Sequence, residues 1–262
     1  MPGSGHRPVG ARLLASLGYA IATRSQLLHG NQAVKRRQGF SNTIGLSSAS
    51  GLQQIREAAD TFRTREPFPH CTVDGVVDRR ELLKLRPLLP DFQHCPVQLL
   101  NSREVSGVAV ENRWSQLPPL TRHLVAKMAA PPFVNALQEA SGLDRLVLDQ
   151  NLTGAGIFLF RSGAHMLPHA EHGMSEVSGL RKAVSLWLRL DTGSRLQPSP
   201  SVTFQLWSHD LSKPEVVIDP SPGGALVIGL GPTAFVGVST ANTYQRREVN
   251  SAWLKVTFQR PL

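Results

Sequence analysis

The stretch "NLTGAGIFLFRSGAHMLPHAEH", Asn151–His172, passes from a glycine-punctuated apolar run into three histidines and a glutamate that follow within a few residues. "GAGIFLFRSG" reads as a β-rich run. Along an extended strand, side chains at i and i+2 share a face. His169 and Glu171 therefore point the same way, and His165 joins them if the strand stays regular. An imidazole and a carboxylate two residues apart supply half of a 2-His-1-carboxylate set, which leaves positions on iron open for a cosubstrate and oxygen. The same H-x-E spacing also arises as a polar turn at a strand end, so the rest of the chain has to supply the missing ligand.

Downstream of this stretch the chain is strand-rich. "AVSLWLRLD", "SVTFQLWSHD", "PEVVIDPSPGGALVIGLG", "TAFVGVST" and "SAWLKVTFQRP" are short β-type runs broken by Gly, Pro, Ser and Asp. That spacing predicts an antiparallel sandwich or barrel. "DTGSRLQPSPS" reads as a surface loop within it.

Upstream the chain is helix-rich. "LQQIREAADTFR" carries Leu52, Ile55, Ala58, Ala59 and Phe62 at helical spacing. A proline-bounded strand, "EPFPHCTVDGVV", precedes "DRRELLKLRPLLPDF", a helix with Asp78 as its N-cap that stops at its prolines. "SREVSGVAVENRW" reads as strand and loop. "LPPLTRHLVAKMA" and "PPFVNALQEASGL" then give two more helices, the second starting on proline and ending at Gly142. Helices first and strands afterwards make an α+β chain, with the helices supporting one β-sandwich.

With 262 residues, 41% hydrophobic and 18% charged, the chain is long enough for a sizeable core. No apolar run approaches the ~20 residues that span a bilayer. The two cysteines, Cys71 and Cys95, read as reduced thiols rather than a disulfide framework. The net charge of +9 suggests nucleic acid, but its distribution argues against that. Seven of the 28 basic residues precede Glu57, the first acidic residue, so the remainder is close to neutral. The basic segment 1–50 is taken as an N-terminal extension and 51–262 as the domain. Three readings of the extension stay open: a solvated helix on the domain edge, an electrostatic arm, and an Arg-rich, acid-free organelle-targeting peptide. No secretory signal is visible, so the expected location is cytoplasmic, with an organelle as the alternative.

The order of these segments resembles the prolyl-hydroxylase-like branch of the 2-oxoglutarate and Fe(II)-dependent oxygenases, over roughly Glu66 to Phe258. "PFPHCTVDGVV" with "RRELLKLRPLLPDF" looks like that branch's entry strand and helix, and "NLTGAGIFLFRSGAHMLPHAEH" like its first core strands leading to H-x-D. "GLRKAVSLWLRL", "IDPSPGGALVIGLG" and "AFVGVST…RREVNSAWL" fall where the family has its further strands, its Pro-Gly turn, its distal ligand strand and its cosubstrate-binding Arg. The resemblance implies a double-stranded β-helix, a cupin-like jelly roll. It also implies Fe(II) and 2-oxoglutarate as cofactors, with His169 and Glu171 as metal ligands. Arg247, six residues before Trp253, then pairs with the far carboxylate of 2-oxoglutarate, and a planar guanidinium suits that bidentate contact. Arg246, next to it, would face the other way.

Two positions depart from the pattern. Where the family reads Ser-Phe-His-Gly-Val, this chain reads Ala234-Phe235-Val236-Gly237-Val238, so a valine stands at the second metal-binding histidine. Glu171 also replaces the usual Asp. His165, His172 or His209 could serve as the replacement ligand, or the site holds no catalytic metal. Two classes of function therefore remain open. One is an oxygenase with an atypical iron site, hydroxylating a small molecule or an amino-acid or peptide side chain. The other is a silent or redirected relative, either a binding or partner subunit beside a copy of itself or an active paralogue, or an enzyme doing non-oxidative chemistry in the same pocket. No CxxC pair, G-x-S-x-G elbow or GxxxxGK[ST] loop offers another chemistry.

Overall fold

The computed structural model describes residues 48–99, 102–191, 202–240 and 251–262. The basic extension, the loop after Asp191 and both Arg246 and Arg247 lie outside these ranges. The helical half supplies α1 (Ser48–Glu57), α2 (Ala59–Phe62), α3 (Arg79–Leu85), α4 (Pro119–Met128) and α5 (Pro131–Ser141). The "LQQIREAADTFR" helix is interrupted at Ala58, which splits α1 from α2. Asp78 caps α3 as expected, its Oδ1 accepting the Arg80 N–H at 2.7 Å. Gly142 ends α5 in the left-handed conformation, φ 70°.

Among the described residues, eleven antiparallel strands form one continuous curled sheet. They are β1 (His70–Val73), β2 (Val97–Leu99), β3 (Val105–Glu111), β4 (Val147–Leu148), β5 (Gly156–Ala170), β6 (Arg181–Arg189), β7 (Val202–Trp207), β8 (Pro214–Ile218), β9 (Ala225–Gly229), β10 (Phe235–Thr240) and β11 (Ser251–Arg260). The order is β1-β9-β6-β11-β5-β10-β7-β8, with β2 and β3 added beside β5 and β4 beside β11.

The fifteen-residue strand β5 makes this sheet fold over itself. Its first part, Gly156–Phe160, pairs with β11, and its last part, His165–Ala170, pairs with β10. The chain turns the corner between them beside Gly163, and Gly107 of β3 faces the bend at φ 69°. A Cβ on Gly107 would lie 3.0 Å from both Cα and Cβ of Ala164, so the strands approach this closely only because a glycine is there. The result is the double-stranded β-helix: one wall of β1, β9, β6, β11 and the start of β5, the other of β8, β7, β10 and the end of β5.

Strand alternation divides the core in two. On β11, Ala252, Leu254, Val256 and Phe258 face the helices and belong to a cluster that includes Leu124, Phe133 and Leu137. There Phe133 stacks on Phe258 with centroids 6.2 Å apart. Trp253 faces the other way, into the space between the walls, with Phe158, Phe160, Trp187 and Phe204. Each fully buried large side chain contributes ~1.5–3 kcal/mol, so the helical layer and the lumen both hold the two walls in place.

Candidate functional site

His169 and Glu171 sit at the end of β5, where it runs along β10. The expectation that His165 joins them requires a regular strand, and β5 is not regular there. Met166 pairs with Val238 and His169 with Val236, so β5 spends three steps where β10 spends two. This bulge at Leu167–Pro168 reverses the alternation. Met166 and His169 both point inward, whereas His165 pairs with Ser106 and Ser239 on the outer face. The bulge thus aims His169 into the lumen and takes His165 away from it. His172 and His209 are exposed.

His169 is 8% exposed and held at both ring nitrogens. Nδ1 lies 3.0 Å from the Leu167 carbonyl and Nε2 lies 3.3 Å from Glu171 Oε1. Both partners are acceptors, and the neutral ring can donate to only one of them at a time. Across the ladder from His169, Val236 is buried with its methyls in the lumen cluster.

Glu171 has a further partner that the motif gives no hint of. The Lys255 ammonium, 84 residues away on β11, donates to Glu171 Oε1 in a close ion pair. Lys255 shares the inward face of β11 with Ser251 and Trp253, is 3% exposed, and sits between the walls. Its Nζ lies 4.9 Å from the Trp187 ring centroid and 5.7 Å from that of Phe158. Burial alone would push the Glu171 carboxyl up, but the Lys255 charge and the His169 contact outweigh it and hold the group below the usual carboxylate range. Burial pulls the Lys255 pKa down, and Glu171 offsets only part of that.

Below this pair the lumen is filled by rings. Phe158 meets Trp187 edge-on at 4.8 Å, Trp187 meets Phe204 at 5.2 Å, and Phe204 meets Trp253 at 4.9 Å. Phe204 comes from one wall and the other three rings from the opposite wall, so the contacts seal the walls together. The Trp253 indole N–H donates to Ser251 Oγ at 2.9 Å, and that hydroxyl donates to Asp191 at 3.1 Å. Arg189, donating to Asp191 and Asp219, closes this end.

A Pseudomonas putida prolyl-4-hydroxylase superposes with a TM-score of 0.53 at 17% identity, over 79% of this chain and 100% of that one. The fold is that of the prolyl-hydroxylase-like 2-oxoglutarate oxygenases. HygX from Streptomyces hygroscopicus, solved with nickel and 2-oxoglutarate bound, superposes at a TM-score of 0.50 and 11% identity, over 78% of this chain and 87% of that one. No protein-family model and no curated protein matches the sequence. The likeness is one of fold, and it agrees with the double-stranded β-helix expected from the order of segments.

Within this fold, the side chains of the described residues do not fit a divalent ion. His169 and Glu171 offer one imidazole and one carboxylate, and the residue across the ladder from His169 is the hydrocarbon side chain of Val236. Among the described residues no three His, Cys, Asp or Glu side chains stand together as a candidate metal group. Glu171 Oε1, the oxygen that also faces His169, is already bonded to an ammonium. A dication beside Glu171 would meet that like charge at contact distance in a poorly solvated lumen, where such repulsion is screened far less than in water. Also among the described residues, no helix is long and apolar enough to cross a membrane.

Proposed function

We propose that this chain has kept the oxygenase fold and left iron chemistry, and that it works as a metal-free binding or partner subunit. The observation that carries this is Val236 lying opposite His169, where a second imidazole would have to stand. Loss of a partner that merely orients a ligand weakens metal binding ~10–100-fold, and loss of a ligand itself is more severe. The aromatic packing of the lumen supports the same reading. A binding scaffold needs rigid walls, and a dicarboxylate cosubstrate needs polar space between them.

The competing reading is an Fe(II)- and 2-oxoglutarate-dependent hydroxylase with an atypical site, acting on a small molecule or an amino-acid or peptide side chain. It is favoured by one observation: His169 and Glu171 stay side by side and inward-facing, 3.3 Å apart. Incubation with Fe(II), ascorbate and 2-oxoglutarate separates the two readings. A metal-free subunit releases no succinate above a protein-free control, whereas succinate release that disappears in His169→Ala establishes the hydroxylase.

A further inference from the structure

We propose that the Lys255 ammonium is a built-in replacement for the metal cation, and that Lys255, more than Val236, bars a divalent ion from the lumen. This rests on the metal-free reading above and assigns its cause to a different residue from the one the sequence points to.

Three observations carry it. Lys255 is bonded to the same carboxylate that would ligate the ion, and its approach is from inside the barrel. Its position is built rather than incidental. β11 places it two residues beyond Trp253 on the lumen face, and across the ladder it pairs with Trp187 on one side and Gly156 on the other. Nζ also lies over the Trp187 and Phe158 rings, so the ammonium has one bonded counter-charge and two aromatic neighbours. Finally, the ion pair joins the end of β5 in one wall to β11 in the other, across the space that an ion would occupy. A positive charge in this place stabilises Glu171 without help from solution. The cation is covalently attached and cannot be lost by chelation, so an incoming ion has to displace a side chain locked by its own packing.

Loss of the distal ligand at Val236 is then a second barrier, and repairing that position alone does not restore a metal site. The test is Mn(II) binding, read by the loss of its free-ion signal in electron paramagnetic resonance. It compares wild type, Val236→His, Lys255→Met and the Val236→His/Lys255→Met double variant. Wild type and Val236→His are expected to leave Mn(II) free. The double variant should bind at least tenfold more tightly than either single variant, in keeping with the gain of a ligand and loss of a competing charge. Val236→His binding as tightly as the double variant, with wild type silent, would overturn the role given to Lys255 and leave the metal-free reading intact. Tight Mn(II) binding by wild type that vanishes in His169→Ala would overturn the metal-free reading itself. Because Lys255→Met leaves Glu171 without its cation, the double variant is also refolded with and without Mn(II). Folding that depends on the ion supports the proposal, and failure to fold in both conditions overturns it.

Discussion

Val236 and His169 face each other across the β5–β10 ladder, both inside the barrel, and only one of them can hold a metal. The strands around this pair are those of a double-stranded β-helix, and the side chains are those of a hydrophobic core with one ion pair set into its rim.

That ion pair gives the first prediction. Removing one partner of a buried pair leaves an uncompensated charge and typically costs ~3–5 kcal/mol, whereas replacing both by apolar or neutral groups is often close to neutral. Glu171→Ala should therefore be strongly destabilised in urea unfolding. Glu171→Gln/Lys255→Met should recover most of the loss. If the double variant is as unstable as the single one, the two side chains do not act as a pair.

The lumen gives the second. Trp253 is wholly buried among rings from both walls, and truncating a large buried aromatic costs ~3–5 kcal/mol. Trp253→Ala should lower the unfolding midpoint accordingly. In wild type, 2-oxoglutarate should produce no thermal shift, since the space is filled. A concentration-dependent shift would show a pocket that these contacts leave no room for.

Much of this was legible in the sequence, and the reasons for the rest are specific. Helix spacing, the Asp78 cap and the Gly142 stop depend on near neighbours, so they follow from local pattern. The inward pairing of His169 and Glu171 follows from strand alternation. His165 fails for the same reason that His169 succeeds: alternation holds only in a regular strand, and the Leu167–Pro168 bulge resets it. Lys255 was missed because its partner is 84 residues away in the other wall. A signal was nevertheless present in "SAWLKVTFQR". One face there is Ala, Leu, Val and Phe, and the opposite face sets Lys255 next to Trp253 in a row with Ser251, Thr257 and Gln259.

The thiols provide a third prediction. Burial raises Cys71 to about 11 and Cys95 to about 12, the latter also pushed up by the Glu111 charge. Both should resist iodoacetamide at pH 8 in the native protein and react at once after unfolding. These folded-state values lie above the ordinary thiol value of ~8.5, so the unfolded chain loses its protons first. The contribution is fully present below that pH and falls away as the pH rises toward the folded-state values. Rapid alkylation of the native protein would contradict the buried placement.

A fourth concerns the turn into β9. Gly223 has φ +79°, and a Cβ there would come within 2.2 Å of the Val77 carbonyl oxygen. The left-handed conformation alone costs a non-glycine residue ~1–3 kcal/mol, and the collision adds to it. Gly223→Ala should be markedly less stable than wild type in thermal unfolding. Gly231→Ala, with open space around it, should be close to neutral. Equal stability of the two variants would mean that the β9 turn is not packed against Val77 as described.

The most direct test of the central claim is the iron content of protein purified without oxygen from iron-replete cells. A lumen closed by Val236 and Lys255 predicts no stoichiometric iron, in wild type and in His169→Ala alike. Iron in a one-to-one ratio with the chain, present in wild type and absent from His169→Ala, would contradict it.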